Sequence, residues 1–237
     1  MDLLDKRVVR VEQGDLNRAT VYSDAPSEVA KKFVDHGASK IHLVDLNAAV
    51  KSDATTNEKI IDDLLRELGS SVDFQVAGGI RSASLAASLT ERGAKSIVIG
   101  SIAYSNPTIA GGILASLRSD GVVLAIDYDG SGRVKTSGWT KTENENVEEA
   151  IGRFLELGFT QFLLTSISRD GLMRGPDLER LRELKKIVPD GSKIAASGGV
   201  SSEADIANLR KIGIDEVIVG KAIYEKSIPL SILGRVA

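Results

Sequence analysis

The 237-residue sequence predicts a (β/α)8 barrel, an α/β fold occupying 1–237 as a single domain, and three observations carry that prediction. Short apolar runs alternate with helical patterns along the whole chain, the order that parallel strands joined by crossover helices require. Those runs are continuous rather than alternating, as in strands buried on both faces. The second half of the chain also repeats the first. Gly78 and Gly198, Gly79 and Gly199, Gly93 and Gly213, and Gly100 and Gly220 each lie 120 residues apart, with the apolar runs 97–99 and 217–219 in register. The repeat divides the barrel into half-barrels of roughly 1–120 and 121–237. An open doubly wound sheet alternates in the same way but gives no reason for the halves to match.

The elements follow in order. Residues 7–11 read as a strand of β-branched residues, and 13–22 as a polar loop. Asp24 and Pro26 open a helix that runs to about Asp35 and stops at Gly37. A strand at 41–44 ends at Asp45, and 47–56 shows no helical period and reads as a loop. The helix near 57–68 puts Ile60, Ile61, Leu64, Leu65 and Leu68 on one stripe, with Gly69 after it. Strands at 74–77 and 96–99 flank a helix near 84–92. Asn106-Pro107 starts a helix that ends before Gly121, although Gly111-Gly112 weakens it. The strand 122–126 ends at Asp127, followed by a glycine turn at 129–132, a short strand at Val134 and then Gly138-Trp139. A helix near 147–157, a strand at 162–164, a loop at 168–175 and a helix at 178–188 lead into the second glycine repeat. A last helical stretch lies near 228–233.

Composition narrows the function. Net charge is −3, with acids and bases interspersed, which argues against nucleic-acid and membrane surfaces. A phosphate-binding cleft does not need a basic protein, because its field is local. The chain has no cysteine, so disulfides and thiolate metal sites are excluded. His36 and His42 lack the spacing of a metal pair and read as structural, the first at a helix end and the second packed in a strand. No signal peptide or apolar run of spanning length is present, and a cytoplasmic setting is expected.

The glycine pattern suits an anion. Without a Cβ the backbone approaches a ligand closely, and the helix that follows offers unpaired N–H groups. Each half has two such turns on neighbouring strands: Gly78-Gly79 with Gly100-Ser101, and Gly198-Gly199 with Gly220-Lys221. Two phosphate cradles half a chain apart imply a substrate with a phosphate at each end. A lone glycine pair would merely shorten a loop; two matched pairs favour the anion.

Carboxylates fall where a barrel does its chemistry, at the C-terminal rim of the strands. Asp2, Asp45, Asp127 and Asp170 all end strands or follow them. Asp2 and Asp127 are 125 residues apart, and each precedes a turn and a short strand. They read as symmetry mates across the mouth, able to act as base and acid if their surroundings separate their pKa values. Helix capping is the plain alternative for any one of them. Thr165 ends the strand next to that of Asp127 and can orient it. Trp139, the only tryptophan, is either a loop anchor or a flat lid over a planar ring.

Several stretches together resemble a known family: Met1-Asp2-Leu3-Leu4-Asp5 with Val8-Val9-Arg10, Gln13-Gly14-Asp15, Thr20-Val21-Tyr22-Ser23-Asp24-Ala25-Pro26, Gly78-Gly79-Ile80-Arg81-Ser82, Ser137-Gly138-Trp139, Ser168-Arg169-Asp170-Gly171, and Ser197-Gly198-Gly199-Val200-Ser201-Ser202 with Val219-Gly220-Lys221-Ala222. Over nearly its whole length the chain resembles the phosphoribosylformimino-aminoimidazole carboxamide ribotide (ProFAR) isomerases of histidine biosynthesis, the HisA family.

The resemblance implies an Amadori rearrangement of an aminoaldose to an aminoketose, with no cofactor and no metal. By the same resemblance Asp2 is the proton acceptor, Asp127 or Asp170 the donor, and Thr165 a supporting residue. Arg18 in the first loop reaches the substrate, Trp139 covers it, and Arg81, Ser101 and Lys221 join the glycines in holding its phosphates. The expected partner is that bisphosphorylated small molecule alone, bound by a monomer, with no nucleic acid and no membrane.

Two departures stand out. The family has several apolar residues before the first aspartate, and here only Met1 precedes Asp2. Either the start lies upstream, or strand one is mostly missing and Asp2 is poorly held. Ser166 also stands where these isomerases have Asp, as is more typical of the related cyclase subunit. That cyclase, a dual-substrate isomerase also acting on phosphoribosylanthranilate, and a non-catalytic phosphate-sugar binder or scaffold are the alternatives. Gln13-Gly14-Asp15, Ser137-Gly138-Trp139 and Val219-Gly220-Lys221-Ala222 argue against the cyclase.

Overall fold

Eight of the strands form one curled parallel sheet with helices packed outside it, in a computed structural model that describes residues 1–12 and 14–235. The first half contains β1 (Asp2–Leu4), β2 (Arg7–Glu12), β3 (Asp15–Ser23), α1 (Pro26–Asp35), β4 (Lys40–Asp45), α2 (Glu58–Leu68), β5 (Asp73–Ala77), α3 (Ala83–Glu91), β6 (Ser96–Ile99), α4 (Ser101–Ser105) and α5 (Pro107–Leu117). The second half contains β7 (Val122–Tyr128), β8 (Arg133–Thr136), β9 (Lys141–Asn146), α6 (Val147–Glu156), β10 (Gln161–Ser166), α7 (Leu178–Ile187), β11 (Lys193–Ser197), α8 (Glu203–Lys211), β12 (Glu216–Val217) and α9 (Lys221–Tyr224). The parallel strands run β12-β11-β10-β7-β6-β5-β4-β1, the arrangement of a (β/α)8 barrel built from two repeated halves.

Side-chain period decides what goes where. Along the barrel strands one set of residues points outward under the helices, including Leu43, Phe74, Ile97, Leu124, Phe162 and Ile194, all 3 % exposed or less. The other set points into the barrel: Val44, Ala77, Val98, Val123, Ala125, Leu163, Ala195 and Ile218. Three of these are alanines, and their small volume leaves room above them at the mouth.

Four readings need correction. Residues 13–22 are not a loop: β3 pairs antiparallel with β2 over Asp15–Ser23, and Gln13 lies outside the described residues. β9 was not anticipated, because KTENEN has no apolar residue and is a strand only through its pairing with β8. The stretch 47–56 opens with a π-helical turn at Asn47–Lys51, and the last helical stretch is a 3-10 turn at Leu230–Ile232. The helix expected from Asn106-Pro107 is present as α5 and runs through Gly111 and Gly112, where an added Cβ would meet no neighbouring atom within 4 Å.

Asp2 is not poorly held. Short as β1 is, it pairs on both sides, Asp2 opposite Val9 of β2 and Val44 of β4. The duplication extends to this detail. β1 and β7 are each followed by an antiparallel hairpin, with Asp2 opposite Val9 and Asp127 opposite Lys135.

Candidate active site

Parallel strands deliver their C-terminal residues to one end, and a cavity of about 590 Å³ opens there. Asp2, Asp127, Thr165 and Asp170 line it together. At one side lie Gly78, Gly79, Arg81, Gly100 and Ser101. A smaller pocket adjoins the other side, lined by Gly198, Gly199, Gly220 and Lys221, and shares Arg10, Asp170, Ser197 and Ile218 with the first. The result is one groove with a glycine turn at each end and carboxylates between them.

The two ends share a backbone conformation. Gly78 and Gly79 have φ of 104° and 67°, and Gly198 and Gly199 have φ of 97° and 85°, the left-handed region that disfavours side chains. A Cβ on Gly78 would lie 2.3 Å from the Asp45 carbonyl oxygen, and one on Gly198 would lie 2.6 Å from that of Ser166. Gly100 and Gly220 match as well, at φ −129° and −113°. After each glycine pair a serine caps the next helix. Ser82 accepts from the Leu85 N–H, and Ser202 accepts from the Asp205 N–H while Asp205 returns bonds to the cap.

Each carboxylate has its own surroundings. Arg10 of β2 reaches over the mouth and donates to Asp2 Oδ2 at 2.8 Å and to Asp170 Oδ1 at 3.4 Å. All three side chains are mostly buried, so the ion pairs are shielded from solvent. Asp2 beside it, with Asp170 behind, holds the Arg10 guanidinium firmly charged. Burial pushes the Asp170 carboxyl above the usual range, and Arg10 opposes that shift. Burial also pushes Asp127 up, while hydrogen bonds from Trp139 and Thr165 pull it back. Thr165 sits directly across the ladder from Asp127.

Trp139 covers this pair of strands. Its indole Nε1–H donates to Asp127 Oδ2 at 2.8 Å. Gly14, at the turn between β2 and β3, rests on the indole face, since a Cβ there would come within 2.7 Å of Cε3. The first hairpin and the Trp139 loop therefore meet above the groove.

The family model described as "Histidine biosynthesis protein" matches residues 1–229. The chain belongs to that family. It is 39% identical over 235 residues to a Halothermothrix orenii protein, covering 99% of this chain and 97% of the relative. It is 36% identical over 233 residues to one from Nitrosopumilus maritimus, covering 97% and 94%. Both relatives are named 1-(5-phosphoribosyl)-5-((5-phosphoribosylamino)methylideneamino)imidazole-4-carboxamide isomerase.

Within this member of the histidine biosynthesis family, Arg18 lies on the first hairpin and does not line the groove. Its side chain is 54% exposed and pairs with Glu12 on the outside of the hairpin. Arg10 is the arginine between the rim carboxylates, a place that the sequence pattern did not single out. The available signal was one charge, Arg10, set between Val9 and Val11 in an otherwise apolar run. His42 packs inside the barrel as expected, with Nδ1 at 2.8 Å from Gln75 Oε1, and it also lines the cavity floor. Burial lowers its pKa to about 4, so the imidazole is neutral at pH 7.

Proposed function

We propose that the chain is the ProFAR isomerase, converting the aminoaldose to the aminoketose by an Amadori rearrangement with carboxylate acid–base catalysis. One observation carries the reading: Asp2, Asp127 and Asp170 share a groove whose two ends are the matched glycine turns. Relatives named as isomerases along nearly their full length favour this reaction over the cyclase.

The substrate lies along the groove, one phosphate at Gly79 and Ser101, the other at Gly199 and Lys221. An acid protonates the ribose ring oxygen, and the ring opens to a protonated Schiff base. A base then takes the proton from C2′, giving an enolamine that tautomerises to the ketone, so nothing is lost or gained overall. Asp2 is the base, held in place over the middle of the groove by the Arg10 guanidinium at 2.8 Å. Proton donation belongs to Asp127 and Asp170, the two carboxyls that burial keeps closer to neutral. Trp139 moves from Asp127 onto the planar ring of the substrate. We infer a monomer whose partner is this small molecule. We place the reaction in the cytoplasm with the phosphorylated intermediates of biosynthesis.

The test is to follow conversion of ProFAR by chromatography. Wild type is expected to turn over, and Asp2→Asn to lose at least roughly 10³-fold in kcat while still binding substrate. Full activity in Asp2→Asn would remove that residue from the mechanism. Of Asp127→Asn and Asp170→Asn, the one that abolishes the high-pH fall in kcat/KM identifies the donor.

A further inference from the structure

Each glycine turn ends on a residue whose side chain grips a neighbouring loop. Ser101 follows Gly100, and its Oγ accepts the Ser137 backbone N–H at 2.8 Å. Lys221, 120 residues later, donates from Nζ to the Gly171 carbonyl at 3.0 Å. The two loops held in this way carry Trp139 and Asp170. The duplicated turns therefore do more than face the groove: each is tied to a loop that bears a reacting or covering group.

The first tie acts on a strained segment. Ser137, Gly138 and Trp139 are three consecutive left-handed residues, with φ of 55°, 65° and 70°. Residues with side chains keep such conformations only where neighbours hold them. Two contacts hold Ser137: its N–H on Ser101, and its carbonyl under Thr140 Oγ1 at 2.7 Å. A serine hydroxyl has one proton to donate as well as lone pairs that accept. Ser137 uses a lone pair, so the Ser101 proton is available to an anion lying in the glycine turn. Donating that proton polarises the oxygen and strengthens the bond it accepts from Ser137, as in any hydrogen-bond chain.

We propose that Ser101 is a positioning residue that couples a phosphate in the first glycine turn to the seating of Trp139. This rests on the phosphate reading of the groove proposed above. The substrate's own end then organises the lid over its middle. A substrate lacking that phosphate loses turnover as well as affinity, because remote binding energy is spent on arranging the reacting centre.

Trp139 is the only tryptophan, so the protein's indole fluorescence reports this loop alone. Inorganic phosphate serves as the probe, with binding followed by 31P NMR and Trp139 accessibility by acrylamide quenching. In wild type and Ser101→Thr, saturating phosphate is expected to lower the quenching constant roughly twofold as local opening is suppressed. In Ser101→Ala at saturating phosphate it stays flat, and in turnover kcat falls by more than KM rises. A residue that only grips the phosphate raises KM with kcat unchanged. The coupling is overturned if Ser101→Ala keeps the wild-type quenching response, or if it shows only a raised KM. It also falls if wild type binds phosphate with no change at Trp139, a result that leaves the phosphate reading standing. Failure of wild type to bind phosphate overturns both.

Discussion

Asp127 carries a conflict between stability and chemistry. Its carboxyl lies beneath Trp139, where burial disfavours the charged form and raises its pKa. An unfolded Asp titrates near about 3.9. Between that value and the raised folded one, the folded state binds the extra proton, so stability falls as pH rises through the folded pKa. The contribution is complete only below about pH 4. Asn keeps an oxygen for the Trp139 N–H and never ionises. Asp127→Asn is therefore expected to raise the melting temperature at pH 7 by a few degrees, with the gain vanishing near about pH 3.5, and to impair turnover. Calorimetry at the two pH values checks it, and a lower melting temperature at pH 7 contradicts it. At this scale the carboxylates were legible because each lies in or just after a barrel strand, which fixes which end of the barrel it joins. Arg10 was not, because its position depends on a hairpin folding back over the mouth, and no local pattern in a β-branched run announces that fold.

At the scale of elements, the duplication is written in capping as well as in glycines. Ser82 and Ser202 occupy the same place in each half, but only Ser202 has an Asp three residues later that completes the reciprocal bonds. Ser202→Ala is expected to cost about 1 kcal/mol, and more than Ser82→Ala, in denaturant titrations of each variant. Equal losses would mean that Asp205 adds nothing. The helices with two or more turns of periodicity were readable, and so were the apolar barrel strands. The hairpin strands β3 and β9 were not, since they lie outside the barrel and bury no residue fully. The five-residue α4 and four-residue α9 were missed for a different reason. A helix that short completes barely one turn, and its hydrophobic period has no room to repeat.

At the scale of the whole molecule, the barrel explains why residues spread from Asp2 to Lys221 meet. Parallel strands bring every C-terminal end to one rim, and the repeat puts equivalent glycine turns on opposite sides of it. Barrel and repeat were both legible, because each is a long-range regularity of spacing. The contacts that close the groove were not, because Gly14 on Trp139 and Arg10 between two aspartates join separate strands through geometry alone. The most direct measurement is a crystal structure of the Asp2→Asn protein soaked with ProFAR. The expected result is one molecule along the groove, one phosphate against Gly79 and Ser101, the other against Gly199 and Lys221, and C2′ next to position 2. Phosphates bound away from those turns, or a ribose lying out of reach of position 2, would contradict it.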